Sequence, residues 1–378
     1  MVMQVGRMFQ RWQLSPIFDP TQNPRVWPEL ASIPLLREGI RRHAEIEKYS
    51  KNRFSGPLSR RNFLWKEYRN FLRQAISNYD AAIEVPNRSA CLLYYYSLLN
   101  FAKAELLATH SSALVGKFIS HGLSFSTYKA KTVAGDALNA KGDGVFKLLY
   151  EFRTGRTLPS KARLPIKRIL ANIPEIASQM DDAGLGTSKT VGLIQLIAIG
   201  DQGTWPVLLT DGKIPDKSST GKLFYGTFKE MPILPDWRDR FALSRRMAGD
   251  IRMYESKSIV PHDANGNPDI WGALGVTWRL KDILSPSYSS TYDGVITPSL
   301  YDSKMLPMPA SLARYALLYY ASSLVRYRPS MFDSQLFPAQ GLLFDAIARE
   351  SAIPVLRDVL AALEGNAQLF YAEDAMRL

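Results

Sequence analysis

Four histidines, His43, His110, His121 and His262, are the side chains of this 378-residue chain best suited to moving a proton at neutral pH. A histidine beside a fixed cation can cleave a phosphodiester without a metal: the ring transfers the proton and the cation stabilises the charge that develops on phosphate. Two lysine–histidine spacings suit that arrangement. Lys103 precedes His110 at a spacing close to two helical turns, and Lys257 precedes His262 across Pro261. Lys103 and His110 form the candidate catalytic pair. Against this, a histidine at a helix end or core edge commonly caps or packs, and a Ser–His–Asp triad is recognised by geometry, not by spacing.

Other catalytic patterns fail on inspection. A phosphate-cradling loop needs glycine followed directly by lysine and a hydroxyl residue, which neither Gly184-Leu-Gly-Thr-Ser-Lys189 nor Thr220-Gly-Lys-Leu223 provides. The oxygen-rich run DANGNPD, Asp263 to Asp269, has its glycine in the fourth place, where a calcium loop requires the sixth, and reads as a turn. Pro235-Asp236 with Glu255-Ser-Lys257 loosely fits a magnesium nuclease, but such carboxylates sit on adjoining strands and the intervening sequence reads as helix. The single Cys91 lies in an apolar run as a small core residue, and no cysteine cluster exists for a metal. No cofactor or metal is expected.

The charge balance is more informative. Forty-seven Lys and Arg against 35 Asp and Glu give +12, and the excess lies in the N-terminal half. One basic tract runs from Arg37 to Arg73 and includes Arg41, Arg42, Arg60 and Arg61; a second runs from Lys117 to Arg168 and includes Lys129, Lys131, Arg153 and Arg156. Phosphate contacts with such residues gain affinity by counterion release, and exposed Trp12, Trp27 or Tyr128 would stack bases. The alternative is a set of solvated helix faces. The N-terminal MVMQVGRMFQRW lacks a signal-peptide core and VGLIQLIAIG is too short to span a bilayer, so the expectation is a cytoplasmic protein without a membrane partner.

These residues must be positioned by helices and a small sheet. Leu64, Tyr68, Phe71, Leu72, Ile76 and Tyr79 recur at three- and four-residue spacing and define one helical stripe. After Pro86, RSACLLYYYSLLNFAKAELLATH is apolar nearly all round, as in a helix at the centre of a bundle. WPVLLT, KLFYGTFKEMPIL, WGALGVTWRL and YDGVITP read as strands, interrupted by a helix over DWRDRFALSRRMAGDIRMYESK. Helices return in SLARYALLYYASSLVRY, QGLLFDAIARE and AIPVLRDVLAALEGNAQLFYAE. In the first of these, Arg326 and Arg328 flank Tyr327 at the carbonyl end, where cations suit the helix dipole. The expected organisation is a proline-rich extended arm over 1–36, a helical basic domain over 37–190, a mixed region with a small sheet over 191–300, and C-terminal helices over 301–378 packing on the helical domain. The fold class is mainly α with a smaller antiparallel β region, α+β.

Two blocks, LLYYYSLLNFAKAELL (92–107) and ALLYYASSLVRYRP (316–329), resemble the YaaC-like family of bacterial proteins. The first carries Tyr95, Tyr96, Asn100 and Lys103, followed by a His121-Gly122 step; the second ends in Arg326, Tyr327 and Pro329 as Arg-Tyr-x-Pro. The family supplies no agreed catalytic residues. The tyrosine-rich block is also similar to helices of HEPN proteins, which implies a HEPN-like helical bundle, and many of those proteins are RNases or RNA binders in bacterial conflict systems. Their Arg-x(4–6)-His motif is absent here. The resulting expectation is a nucleic-acid-binding or scaffold subunit of a bacterial complex, of the kind used in anti-phage defence. Its partner would be RNA or single-stranded DNA, with a protein partner or a homo-oligomer as further options. The alternative is a HEPN-like metal-independent RNase or a degenerate metal-dependent nuclease.

Overall fold

The computed structural model describes residues 8–13, 25–27, 33–115, 119–125, 132–186, 190–233, 251–280, 283–286, 294–301, 306–332, 338–364 and 368–377. Along the chain, β1 (Met8–Gln13) and β2 (Arg25–Trp27) precede α1 (Ile33–Glu45), α2 (Leu58–Glu84) and α3 (Asn87–Thr109). Then come β3 (Leu123–Phe125), β4 (Ala137–Ala140), α4 (Val145–Thr154) and β5 (Arg163–Pro165). The next stretch holds β6 (Val191–Gly200), β7 (Gly203–Thr210), α5 (Ser219–Thr227), β8 (Phe228–Met231), β9 (Arg252–Ser256) and α6 (Ile270–Trp278). Short strands β10 (Leu284–Pro286), β11 (Gly294–Ile296), β12 (Ser299–Tyr301) and β13 (Leu306–Pro307) follow. Helices α7 (Ala310–Tyr327), α8 (Pro338–Glu350) and α9 (Ala352–Glu364) lead to the last strand, β14 (Gln368–Arg377). The chain is α+β, with helices predominant and largely antiparallel sheets. Among the described residues no helix is long and apolar enough to cross a membrane.

The chain packs as two units. The sheet unit takes residues 1–31, 189–309 and 365–378; the helical unit takes 32–188 and 310–364. In the sheet unit the main order is β2-β14-β1-β6-β7-β9-β8, with β11 on β6 and β10 on β11, all antiparallel except β2 with β14. The apolar runs of β6 and β7 bury both faces, with Leu196, Ala198, Trp205, Val207 and Leu209 in one cluster. The proline-rich arm thus supplies β1 and β2, and its last residues begin α1 at Ile33.

Four elements differ from the sequence expectation. In KLFYGTFKEMPIL only Phe228–Met231 is a strand: residues 222–227 belong to α5, which Ser218 caps, its Oγ accepting the Gly221 N–H at 2.8 Å. WGALGVTWRL is helical: Asp269 caps α6, its Oδ1 accepting the Gly272 N–H at 2.7 Å, and this local cap outweighs the β-prone composition. Of the expected helix over 236–257, residues 236–250 lie outside the described residues, and Arg252–Ser256 is β9, held between β7 and β8. AIPVLRDVLAALEGNAQLFYAE is helical only to Glu364 and resumes as β14, where Phe370 and Tyr371 favour a strand.

In the helical unit, α2 and α3 form a hairpin that turns at Pro86. The stripe Leu64, Tyr68, Leu72, Ile76, Tyr79 of α2 is buried, and Phe71, counted with it from the spacing, is only half-buried. Ser97 Oγ of α3 donates to the Ala75 carbonyl at 2.8 Å, and Tyr79 Oη donates to the Ala352 carbonyl at 2.9 Å. Helix α7 is buried from Ala310 to Leu324 except at Ser311, and it carries a charge inside. Arg314, 4 % exposed, donates to Asp358 Oδ2 at 2.9 Å and to Glu175 Oε1 at 3.0 Å. An arginine removed from such a site leaves two carboxylates in low dielectric without their cation. Arg314→Met therefore should lower stability by about 3–5 kcal/mol, read as a shift of the urea unfolding midpoint; a loss below about 1 kcal/mol would show that Glu175 and Asp358 do not depend on it.

Candidate functional site

Part of the basic tracts is neutralised within the chain. Arg41 and Arg37 share Asp80 at 3.3 and 2.8 Å, and Arg42 faces Glu38 at 3.5 Å. Arg69 and Arg73 both meet Glu45, whose carboxyl the Arg73 and Arg69 hydrogen bonds hold down at about 2. Arg153 is bidentate on the buried Glu105 at 2.9 and 2.6 Å. Arg60 is exposed and Arg61 half-buried at the start of α2; Arg156 follows the Gly155 turn, its backbone N–H donating to Thr154 Oγ1. Lys129, Lys131 and Tyr128 lie outside the described residues, and Trp12 and Trp27 occupy strands β1 and β2.

The histidines separate sharply. His110 closes α3 as its C-cap, exposed, with its ring edge-on to Phe152 at 5.2 Å. His43 is buried against Tyr49. His262 is in the sheet unit, where Lys257 Nζ donates to the Tyr225 carbonyl at 2.5 Å. The charge of Lys103, paired with His110 by spacing, bears on His121, as do the charges of Lys141 and Arg326.

His121 is where distant pieces of the helical unit meet. Its ring packs on Tyr319 of α7 at 4.9 Å and edge-on to Tyr95 of α3 at 6.5 Å. Tyr95 in turn touches Tyr319 at 5.3 Å and Tyr315 at 6.1 Å, and the Tyr315 hydroxyl donates to the His121 carbonyl at 3.5 Å. The backbone beside the histidine is strapped to the turn that begins α4: Val145 N–H donates to the Ser120 carbonyl at 2.9 Å, Phe146 N–H to that of His121 at 3.2 Å, and Lys141 N–H to that of Gly122 at 2.9 Å. Gly122 has φ +82°, and Gly144 has φ +125° with room for no side chain, since a Cβ there would lie 2.4 Å from Gly122 Cα. Two glycines in close approach therefore aim the histidine.

The cluster is cationic and unneutralised. Among the described residues, Lys103, Lys141 and Arg326 have no carboxylate partner. Lys103 lies over the Phe71 ring at 5.5 Å; Arg326 Nε donates to the Ser322 carbonyl at 3.2 Å, and its guanidinium lies over Tyr327 at 5.1 Å. The nearby Arg328 differs: it pairs with Asp136 at 3.0 Å, and Asp136 also accepts from the Tyr320 hydroxyl at 2.5 Å. At the heart of the cluster the Tyr95 hydroxyl is buried with no hydrogen-bond partner, a state that native structures rarely leave to a buried polar group. Burial, then the charges of Lys141, Arg326 and Lys103, lower the pKa of His121; burial likewise lowers that of Lys103. His121 Nδ1 accepts the Leu123 N–H at 3.3 Å, so in the neutral ring the proton sits on Nε2 and that nitrogen is a donor. Lysine ammoniums, a guanidinium, an imidazole N–H and a phenol make a set of donors suited to an oxyanion such as phosphate.

The pattern that would suit a magnesium nuclease does not assemble. Glu255 is on β9, accepting from Trp205 Nε1 at 2.6 Å with Lys229 at 3.9 Å; Asp236 lies outside the described residues. Among the described residues no three His, Cys, Asp or Glu side chains gather as a metal would require. DANGNPD is an Asx turn, with Asp263 Oδ1 accepting from Asn265 and Asn267 N–H.

The structure thus defines an α+β protein whose helical unit joins an N-terminal and a C-terminal tyrosine-rich helix around a histidine. The family model described as YaaC-like Protein matches residues 42–338, and the chain belongs to the YaaC-like family. Comparison with curated proteins and with solved structures gave no match in either. Of the residues that carry the family resemblance, Tyr95, Lys103, His121-Gly122 and Arg326 come together in this cluster.

The depressed basicity of His121 has a direct reading. An unfolded histidine takes up its proton near 6.5, whereas the native ring resists protonation until lower pH, so this residue makes the native state lose stability as pH falls from about 6.5 towards the native value. In a proton NMR titration the resonance absent from His121→Gln should have its midpoint below 6.5. A midpoint at or above that value would mean that neither burial nor the charges of Lys141, Arg326 and Lys103 act on the ring as placed.

Proposed function

We propose that this protein binds nucleic acid through the phosphate backbone, as a non-catalytic subunit, with the His121 cluster of the helical unit as a phosphate contact. The observation that carries this reading is the convergence of Lys103, Lys141 and Arg326 on a neutral histidine with no carboxylate partner among the described residues. Elsewhere in the basic tracts Arg37, Arg41, Arg73 and Arg153 already have acids, so their charge offers a phosphate little. Arg60 and Arg61, which meet no carboxylate among the described residues, extend the basic surface at the start of α2.

The RNase reading draws on the same residues but asks more of them. Cleavage requires a ring that accepts and returns a proton. In His121 one nitrogen already accepts from a backbone N–H and the other carries hydrogen, while three cations oppose a second proton. The same geometry serves binding without change.

Fluorescence anisotropy with a labelled oligonucleotide tests the proposal. Affinity should fall steeply with salt, and Lys103→Gln/Arg326→Gln should weaken binding about tenfold or more and flatten the log–log salt slope by about 0.7 for each phosphate no longer neutralised. Arg60→Glu/Arg61→Glu should also weaken it, and the RNA should remain intact on a gel. Salt-independent binding, or no binding, overturns the proposal; cleavage abolished by His121→Gln would establish the enzyme in its place.

A further inference from the structure

Two exposed aromatic rings stand beside the cationic cluster, and neither is needed to hold phosphate. Tyr96, 38 % exposed, packs on Tyr95 at 5.3 Å between centroids. Tyr327, 63 % exposed, is the ring over which the Arg326 guanidinium lies. Each of the two touches a member of one anion-binding cluster, so together they offer a ligand an apolar planar contact beside its charge.

On α3 the spacing also lays out a track. Tyr96, Asn100 and Lys103 are at positions i, i+4 and i+7, one stripe of the helix, about 10 Å from the aromatic to the cation. The Asn100 amide donates back to the Tyr96 carbonyl at 3.0 Å and keeps this stripe ordered. A polymer lying along it would present a phosphate at Lys103 and a flat group at Tyr96.

We infer that the site takes single-stranded nucleic acid, with a phosphate among Lys103, His121 and Arg326 and unstacked bases against Tyr96 and Tyr327. This rests on the phosphate reading above. In a duplex the base faces are covered by their neighbours and only edges and phosphates are offered, so tyrosine rings gain nothing from it; in a single strand each base has an open face, and every base stacks irrespective of sequence. The surface therefore discriminates by strandedness and not by sequence.

The test titrates the full-length protein with a labelled single-stranded oligonucleotide, in RNA and DNA forms, with the duplex of the same sequence, and with polyphosphate as a competitor that has charge but no bases. The expected result is single-strand binding about tenfold or more tighter than duplex binding. Tyr96→Ala and Tyr327→Ala should each reduce single-strand affinity by about 5- to 100-fold while leaving competition by polyphosphate unchanged; circular-dichroism melting of both variants checks the fold. Equal affinity for duplex and single strand, or tyrosine variants that weaken polyphosphate and oligonucleotide alike, overturns the inference. If binding depends on Lys103 and Arg326 but not on the tyrosines, the phosphate reading stands and the single-strand inference fails. If neither oligonucleotide nor polyphosphate binds, both fail.

Discussion

The contact between α3 and α7 is the constraint on which the helical unit depends. Helix α7 is buried on nearly every side and α3 over most of its second half, and they meet through aromatic rings: Tyr95 against Tyr315 and Tyr319, with His121 set between α3 and α7. Such pairs stabilise by about 0.5–1.5 kcal/mol each beyond the area they bury, but every phenol also brings a hydroxyl that must be satisfied. Tyr79, Tyr315 and Tyr320 reach Ala352, His121 and Asp136. Burial raises the pKa of these phenols, so they remain protonated donors. Among the described residues the Tyr68 and Tyr95 hydroxyls are buried without a partner, and Tyr95 lies against His121. The packing that stabilises the unit thus leaves one of its unsatisfied donors at the candidate site.

Charge follows the same logic of placement. A cation deep in the unit is tolerated only with its acid, as for Arg314 with Asp358 and Glu175 or Arg153 with Glu105. Nearer the surface, the paired residues are again many, with Glu45 holding Arg69 and Arg73. Among the cations without a carboxylate partner in the described residues, Lys103, Lys141 and Arg326 bear on one ring. Net charge alone is therefore a poor guide to where a polyanion would bind, because +12 counts paired and unpaired cations together.

Much of the helical fold was legible in the sequence, because burial on one stripe of α2 leaves a period that can be read directly, and the apolar composition of α3 marks it as a central helix although Tyr96 stays exposed. The sheet was legible where runs were long, as in β7, and was misread where a local signal competed. The cap at Asp269 made a helix of WGALGVTWRL, and Arg252–Ser256 became a strand because β7 and β8 flank it. For the candidate site, spacing paired Lys103 with His110, whereas in the structure the charge of Lys103 bears on His121. Sequence spacing favours His110 on the same helix, whereas His121 arrives through a loop tied to the Gly144 turn. Arg326 and Arg328 look equivalent at the end of α7, yet only Arg328 meets Asp136, a residue far away in the chain. Such pairings are long-range and leave no trace in local spacing. The one usable signal was the family resemblance, whose scattered residues turned out to be neighbours.

Placing three cations around a histidine is unfavourable in the absence of a ligand. Burial shifts Lys103 and His121 towards their neutral forms, and at His121 the charges of Lys141, Arg326 and Lys103 add to it. A structure serving packing alone would relieve this with a carboxylate, as it does at Arg153 and Arg328. Under the proposed reading an arriving oxyanion would relieve the same repulsion and accept from Nε2 of His121, so that one ligand would remove more than one unfavourable interaction. Cleavage would reverse part of that gain, since a proton taken up by His121 would restore positive charge among cations whenever the anion leaves. The geometry is thus better suited to holding a phosphate than to cutting at one.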